Sequence, residues 1–135
     1  SGAIGRALLL KVADIMRSGA RNPVAPQTAI VREALLLMGK AKSGSVSVVN
    51  KSGKLAGVFT DGDLRRHLAE GDGVLDQTLA KVMTRKPICL REDALAADAI
   101  HIFNGRNIDD LIVVNTKREP VGLVDSQDLP KLKAI

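Results

Sequence analysis

The sequence repeats itself at an interval of 65 residues, and no other feature constrains its fold so strongly. Setting Asp63 on Asp128 places Ala29 on Ala94, Ala34 on Ala99, Val48 and Val49 on Val113 and Val114, Asn50 on Asn115, Gly57 on Gly122 and Leu64 on Leu129, with no gap. Such a period in a chain of 135 residues means two small units. A unit of about 60 residues buries too little surface to be comfortable alone, so the two are expected to pack as one inseparable pair. Upstream the register slips: the step from Met16 to Ala29 is two residues longer than that from Met83 to Ala94, which gives the first copy a longer loop around Arg17 to Asn22.

Each copy carries the same run of patterns. In the first, Pro23 to Ala25 reads as extended and Ile30 to Lys42 as a helix with Ile30, Leu35, Leu37 and Met38 mostly on one side. Val46 to Val49 reads as a strand, Gly53 as a turn and Leu55 to Phe59 as a second strand. A helix follows from Thr60 until Gly71, Asp72 and Gly73 stop it, and Val74 to Gln77 link it to the next copy. There Thr78 is a candidate N-cap, followed by a turn through Met83, an extended Ile88 to Leu90, a helix over Ala94 to Asn104, and strands at Leu111 to Val114 and Val121 to Val124. The turn between those strands, Lys117 to Pro120, contains no glycine. The expected fold class is α/β (α+β): two βαββα units related by a pseudo-twofold axis, their sheets packed together and their clefts lying between them.

Composition narrows the function. Hydrophobic residues are 45% of the chain, yet it has no Trp or Tyr, and Phe59 and Phe103 are its only aromatics, so the core is aliphatic. A net charge of +5 suits anionic partners, but the lack of aromatic stacking platforms argues against nucleic acid. Cys89 is the single cysteine, which precludes an intramolecular disulfide and fits a reducing, cytoplasmic setting. The longest apolar runs fall far short of the roughly 20 residues that span a bilayer, so no membrane role is expected. His67 and His101 lack metal-site spacing, and no metal is expected. No catalytic triad is identifiable, so catalysis has little support.

The stretch Gly57 to Arg66, a strand feeding a helix, is the candidate site. Thr60 and Asp63 put a hydroxyl and a carboxylate beside backbone N–H groups that lack intrahelical partners and can receive an anion. The same T-x-x-D spacing also makes a capping box, in which the two residues satisfy each other. Gly62 costs nearly 1 kcal/mol relative to Ala in a helix interior, which is more easily tolerated where backbone must approach a ligand. Arg65, Arg66 and His67 follow at once and fan out around the helix axis, so not all can face one phosphate.

These residues together resemble a tandem pair of CBS domains, named after cystathionine β-synthase, from Val12 to Leu132. The matching features are D-I-M at Asp14 to Met16 and V-M-T at Val82 to Thr84, the small-residue helices at Ala34 and Ala99, the V-V-N strand ends, and the endings that open at Gly57 and Gly122. The run from Ala3 to Met16, with the later G-V-F-T-D-G-D-L-R-R, is similar to the C-terminal half of the arabinose-5-phosphate isomerase family, in which a sugar isomerase (SIS) domain precedes the CBS pair. The resemblance implies a division into residues 1–11 (a cloning remnant and a linker from a missing isomerase domain), residues 12–73 (CBS domain 1) and residues 74–135 (CBS domain 2).

What the resemblance implies about function is regulation, not turnover. The parent would be an isomerase of arabinose 5-phosphate and ribulose 5-phosphate, serving Kdo and lipopolysaccharide synthesis. This region would bind AMP, ATP or CMP-Kdo, or else only assemble the enzyme, and would form at least a dimer. In nucleotide-binding CBS pairs the residue matching Asp63 accepts from a ribose diol and that matching Thr60 contacts phosphate. Carried over, Thr60, Asp63, Gly62 and Arg65 form the site, with Asn22 and Val24 from the loop Arg17 to Val24 lining the same cleft and Asp128 as the second copy's counterpart. The two clefts are expected to be unequal: Asp125 replaces the hydroxyl of Thr60 and would repel a phosphate, and Pro130 should delay or distort the helix there.

Overall fold

The computed structural model describes residues 9–130. The expected remnant at Ser1 and Gly2, most of the helical lead-in from Ile4 to Leu10, and Leu132 lie outside them. The described elements run α1 (Val12–Ile15), β1 (Val24–Pro26), α2 (Val31–Ala41), β2 (Ser45–Val49), β3 (Leu55–Thr60), α3 (Asp61–Glu70), α4 (Leu79–Val82), β4 (Thr84–Arg85), β5 (Cys89–Arg91), α5 (Ala96–Gly105), β6 (Asp110–Val114) and β7 (Pro120–Asp125), with short 3-10 turns at Gly19–Arg21, Val74–Asp76 and Ser126–Asp128. They form the expected α+β pair of units.

The strand pairing repeats down to its irregularities. β1 runs parallel to β2 and β2 antiparallel to β3, while β5, β6 and β7 pair in the same senses. Both antiparallel pairs shift register at equivalent places, Val48/Val49 and Val113/Val114. The repeated asparagines close both hairpins: Asn50 Oδ1 accepts from the Ser52 and Lys54 N–H groups, and Asn115 Oδ1 from those of Lys117 and Glu119. In the second hairpin Arg118 takes the left-handed conformation (φ 62°) that Gly53 takes in the first (φ 77°).

The lead-in segments change places. β4, which opens the second copy, pairs with β3 of the first (Gly57 with Arg85, Val58 with Thr84). Arg17, at the start of the first copy, pairs with Leu123 of the second, its N–H donating to the Leu123 carbonyl at 2.7 Å. Each core is built accordingly. Leu79, Val82 and Met83 join Val31, Ala34, Met38, Val46 and Phe59, whereas Val12, with Ile15 and Met16 packed beside it, joins Ala99, Leu111, Val113 and Val124. A third cluster of Leu55, Ile112 and Val114 ties the two units together. Neither contiguous half of the sequence thus contains a complete core.

One expectation is corrected at the helices. The buried face of α2 is Val31, Ala34, Met38 and Ala41; Leu35 packs partly, while Leu36 is 67% exposed and Leu37 is turned out as well. The helix begins at Val31, with Ile30 as its N-cap, so the stripe is set by the small Ala34 that lets α2 approach its sheet. On α3, Leu64 packs against the core but Leu68 is exposed.

Candidate functional site

Thr60 and Asp63 make the capping box in full. Thr60 Oγ1 accepts from the Asp63 N–H at 3.1 Å, and Asp63 Oδ2 accepts from the Thr60 N–H at 3.0 Å. The Asp63 carboxylate also accepts from Arg66 Nη2 at 2.9 Å and from Thr84 Oγ1 at 3.2 Å. It is only 5% exposed, and it fastens β4 to the helix start. Thr60 meanwhile faces a cleft of about 800 Å³ between the two units, a volume suited to a small-molecule ligand.

The cleft is bounded on the first copy by Lys42, Thr60 and Arg65, on the exchanged lead-in by Thr84 and Lys86 to Ile88, and on the second copy by Asn107 to Asp110 and Asp125 to Gln127. Three cations, Lys42, Arg65 and Lys86, line it together with the carboxylates of Asp61, Asp109, Asp110 and Asp125. Lys42 and Lys86 both hold left-handed backbone, with φ of 53° and 54°. A side chain in that region costs roughly 1–2 kcal/mol, and the first copy uses glycine at the place matching Lys86, Gly19 (φ 58°). A lysine kept there, lining a cleft, is the kind of backbone strain that accompanies binding sites.

Asp110 is the most perturbed acid in the cleft. Burial pushes its carboxyl up to about 6, against the hydrogen bond donated by Ser45 Oγ at 2.5 Å, and Asp125 and Asp109 push the same way as burial. Its Oδ1 is buried without a hydrogen-bond partner. Ser45 and Asp110 are repeat equivalents that meet across the pseudo-twofold axis. The cleft therefore offers both cations for an anionic group and a carboxyl for a donor.

Of the residues picked out in the sequence, Thr60, Arg65 and Asp125 line this cleft. Asp63 stands behind Thr60 in its cap. Gly62 brings no close approach, since a Cβ there would meet Thr60 Oγ1 at an ordinary 3.5 Å. The three basic residues do fan out: Arg66 returns to Asp63, and His67 Nδ1 lies 2.5 Å from Asp72 Oδ2. His67, Glu70 and Asp72 bring ligand atoms within 4.8 Å of one another, an arrangement that closes the end of α3 at Gly71.

Asn22 and Val24 are not beside Thr60, which corrects the expectation of a shared cleft. Because the lead-ins exchange, the loop Arg17 to Val24 serves the second copy: Asn22 Nδ2 donates to the Pro120 carbonyl at 3.4 Å. Asp128 is held by Arg17, whose Nε and Nη2 donate to its two oxygens at 3.0 and 2.9 Å. Thr84, Lys86, Lys42 and Asp110 were missed. Aligning Met16 with Met83 would have paired Arg17 with Thr84 and Gly19 with Lys86, and so would have singled out both residues of the second lead-in.

A cleft between two βαββα units that exchange their lead-ins defines a tandem two-unit module, and the chain belongs to the CBS domain family, whose pattern matches residues 12–70 and again 79–133. Among curated proteins it is similar to arabinose 5-phosphate isomerase KdsD of Pseudomonas aeruginosa, with 41% identity over 128 residues, and to KdsD of Escherichia coli K12, with 38% over 114. These matches cover 95% and 84% of this chain but only 39% and 35% of the relatives' lengths. Among solved structures, the CBS domain pair of protein MJ0100, in complex with 5′-methylthioadenosine and S-adenosyl-L-methionine, has a TM-score of 0.80 at 27% identity over 92% of this chain and 95% of that one. A CBS domain-containing protein of Bacillus anthracis, 17% identical, has a TM-score of 0.83 over 97% of each chain, which shows the shared fold.

Proposed function

We propose that this chain is the regulatory CBS pair of a sugar-phosphate isomerase acting on arabinose 5-phosphate and ribulose 5-phosphate in cytoplasmic Kdo and lipopolysaccharide synthesis. In this reading it has no turnover of its own, and an SIS domain elsewhere in the parent chain does the chemistry. It binds one nucleotide or nucleotide sugar, with AMP, ATP and CMP-Kdo as the candidates. The observation that carries the reading is the cleft of about 800 Å³ with Thr60, Arg65 and the strained Lys86 on its wall. The KdsD similarity, which runs through nearly the whole chain, and the nucleoside ligands of the MJ0100 pair support it.

In the bound state the phosphate lies among Lys42, Arg65 and Lys86, with Thr60 Oγ1 as a further partner, because charge-assisted contacts are the strong ones. Asp63 receives a ribose hydroxyl in place of the Thr84 hydroxyl, keeping its bond to the Thr60 N–H. Among the described residues no helix is long and apolar enough to cross a membrane. The parent acts as at least a dimer in this proposal. The exposed Leu36, Leu37 and Leu68 favour a second reading, an oligomerisation module whose cleft stays empty.

Calorimetry with AMP, ATP and CMP-Kdo side by side separates the two. The regulatory reading expects one of them to bind with one site per chain, and Lys86→Gly, which relieves the backbone, to leave the fold at least as stable while weakening that ligand about tenfold. No heat with any of the three, together with light scattering that shows a dimer, would leave the assembly role as the correct one.

A further inference from the structure

Arg17 and Thr84 occupy equivalent places in the pair. Each follows a methionine laid over a glycine in the other copy's last strand. A Cβ on Gly57 would fall 2.6 Å from Met83 Sδ and 2.7 Å from the Thr84 carbonyl oxygen; one on Gly122 would fall 2.5 Å from Met16 Sδ and 2.8 Å from the Arg17 carbonyl oxygen. Each side chain then donates to the carboxylate that caps the following helical turn, Thr84 to Asp63 and Arg17 to Asp128. Threonine ends there, and Thr84 lines the open cleft.

Arginine goes further. Its guanidinium makes two parallel hydrogen bonds to Asp128 and also brings Nη1 to 3.7 Å from Asp125 Oδ2. Asp125 is the counterpart of Thr60, so one side chain stands against both residues that on the other side form the cap and face the cleft. The Arg17 side chain is 13% exposed, and those of Asp125 and Asp128 are 19% each. Burial pushes the Asp128 carboxyl up, but the hydrogen bonds and charge of Arg17, with the Asp125 N–H, outweigh it and hold it below the ordinary carboxylate value. The hydrogen bond to Asp128 in turn raises the pKa of the guanidinium above its ordinary value. A planar fork against two carboxylates is the geometry by which proteins recognise guanidinium groups.

We propose that Asp125 and Asp128 form a guanidinium-binding site that Arg17 fills from within the chain, closing the second cleft to ligand and leaving the pair with one nucleotide site instead of two. The count of one rests on the function proposed above, whereas the guanidinium site rests on the side-chain geometry alone.

The test is chemical rescue in the full chain. Arg17→Ala, and Arg17→Thr as a milder variant that copies Thr84, should melt lower than the parent. Methylguanidinium at low millimolar concentration should raise their melting temperatures in a saturable way, methylammonium should do so much less, and the parent chain should respond to neither. Variants that fold but gain nothing from methylguanidinium would overturn the proposal. So would a parent chain that takes up two equivalents of AMP in calorimetry, since the second cleft would then be open. A parent chain that takes up no AMP while the variants are rescued would remove AMP as the ligand and leave the guanidinium site standing.

Discussion

Asp110 shows how a single residue of the cleft is tuned. Its ordinary pKa is 3.8 and burial lifts it to about 6 in the fold. Between those values the folded chain holds a proton that the unfolded chain has released. Ionised Asp110 therefore costs stability, increasingly as pH rises from about 4 and fully above about 6. Discounted for its partial exposure, the cost is about 1 kcal/mol. Asp110→Asn is expected to unfold at higher denaturant at pH 7.5, by about that amount, and to match the parent at pH 4. A gain at pH 4 that disappears at pH 7.5 would reverse the assignment. The sequence showed Asp110 only as the polar residue before an apolar strand. Its burial and its contact with Ser45 arise from the pseudo-twofold axis, which brings residues 65 positions apart into touch.

At the scale of elements, strands and helices were legible because their hydrophobic periods are clean and are stated twice. Thr60 with Asp63 was legible as a cap because both partners lie within one turn. The late start of the last helix was legible too: a 3-10 turn at Ser126–Asp128 comes first and helical residues begin only at Leu129 and Pro130, because Pro130 is tolerated in a first turn and not in a helix interior. What could not be read was the exchange of lead-ins. Asp14 to Met16 and Val82 to Thr84 look like the first residues of their own units, and no local pattern says that they cross over. The two glycines at 57 and 122 were visible as a repeat, yet their reason is the methionine and the backbone carbonyl that pass over them. Gly57→Ala is expected to cost about 1–3 kcal/mol, measured by denaturant unfolding, because the neighbour at 2.7 Å is backbone and cannot step aside as a flexible side chain would. Gly39→Ala, with nothing within 4 Å of the added carbon, is the control and should be neutral or stabilising.

For the whole molecule, the exchange explains why the two copies behave as one module: Leu79, Val82 and Met83 complete the first core, Val12 and Met16 the second, and Leu55 with Ile112 and Val114 closes the gap between them. The cleft lies in that junction, so a ligand there contacts the first copy, the second lead-in and the second copy at once and ties their relative positions together. Such a ligand, at a hundred times its dissociation constant, would add about 2.7 kcal/mol to the stability of the pair. The proposed asymmetry between an open Thr84 side and an Arg17-filled side is the most specific consequence of this reading. Amide chemical-shift mapping of the full chain, titrated with AMP, ATP and CMP-Kdo in turn, tests it most directly. The account predicts that one of them moves the signals of Thr60, Arg65, Thr84, Lys86 and Asp110 while those of Gly19 to Val24 stay in place; shifts confined to Gly19 to Val24 and Gly122 to Asp128, with Thr60 and Lys86 unmoved, would contradict it.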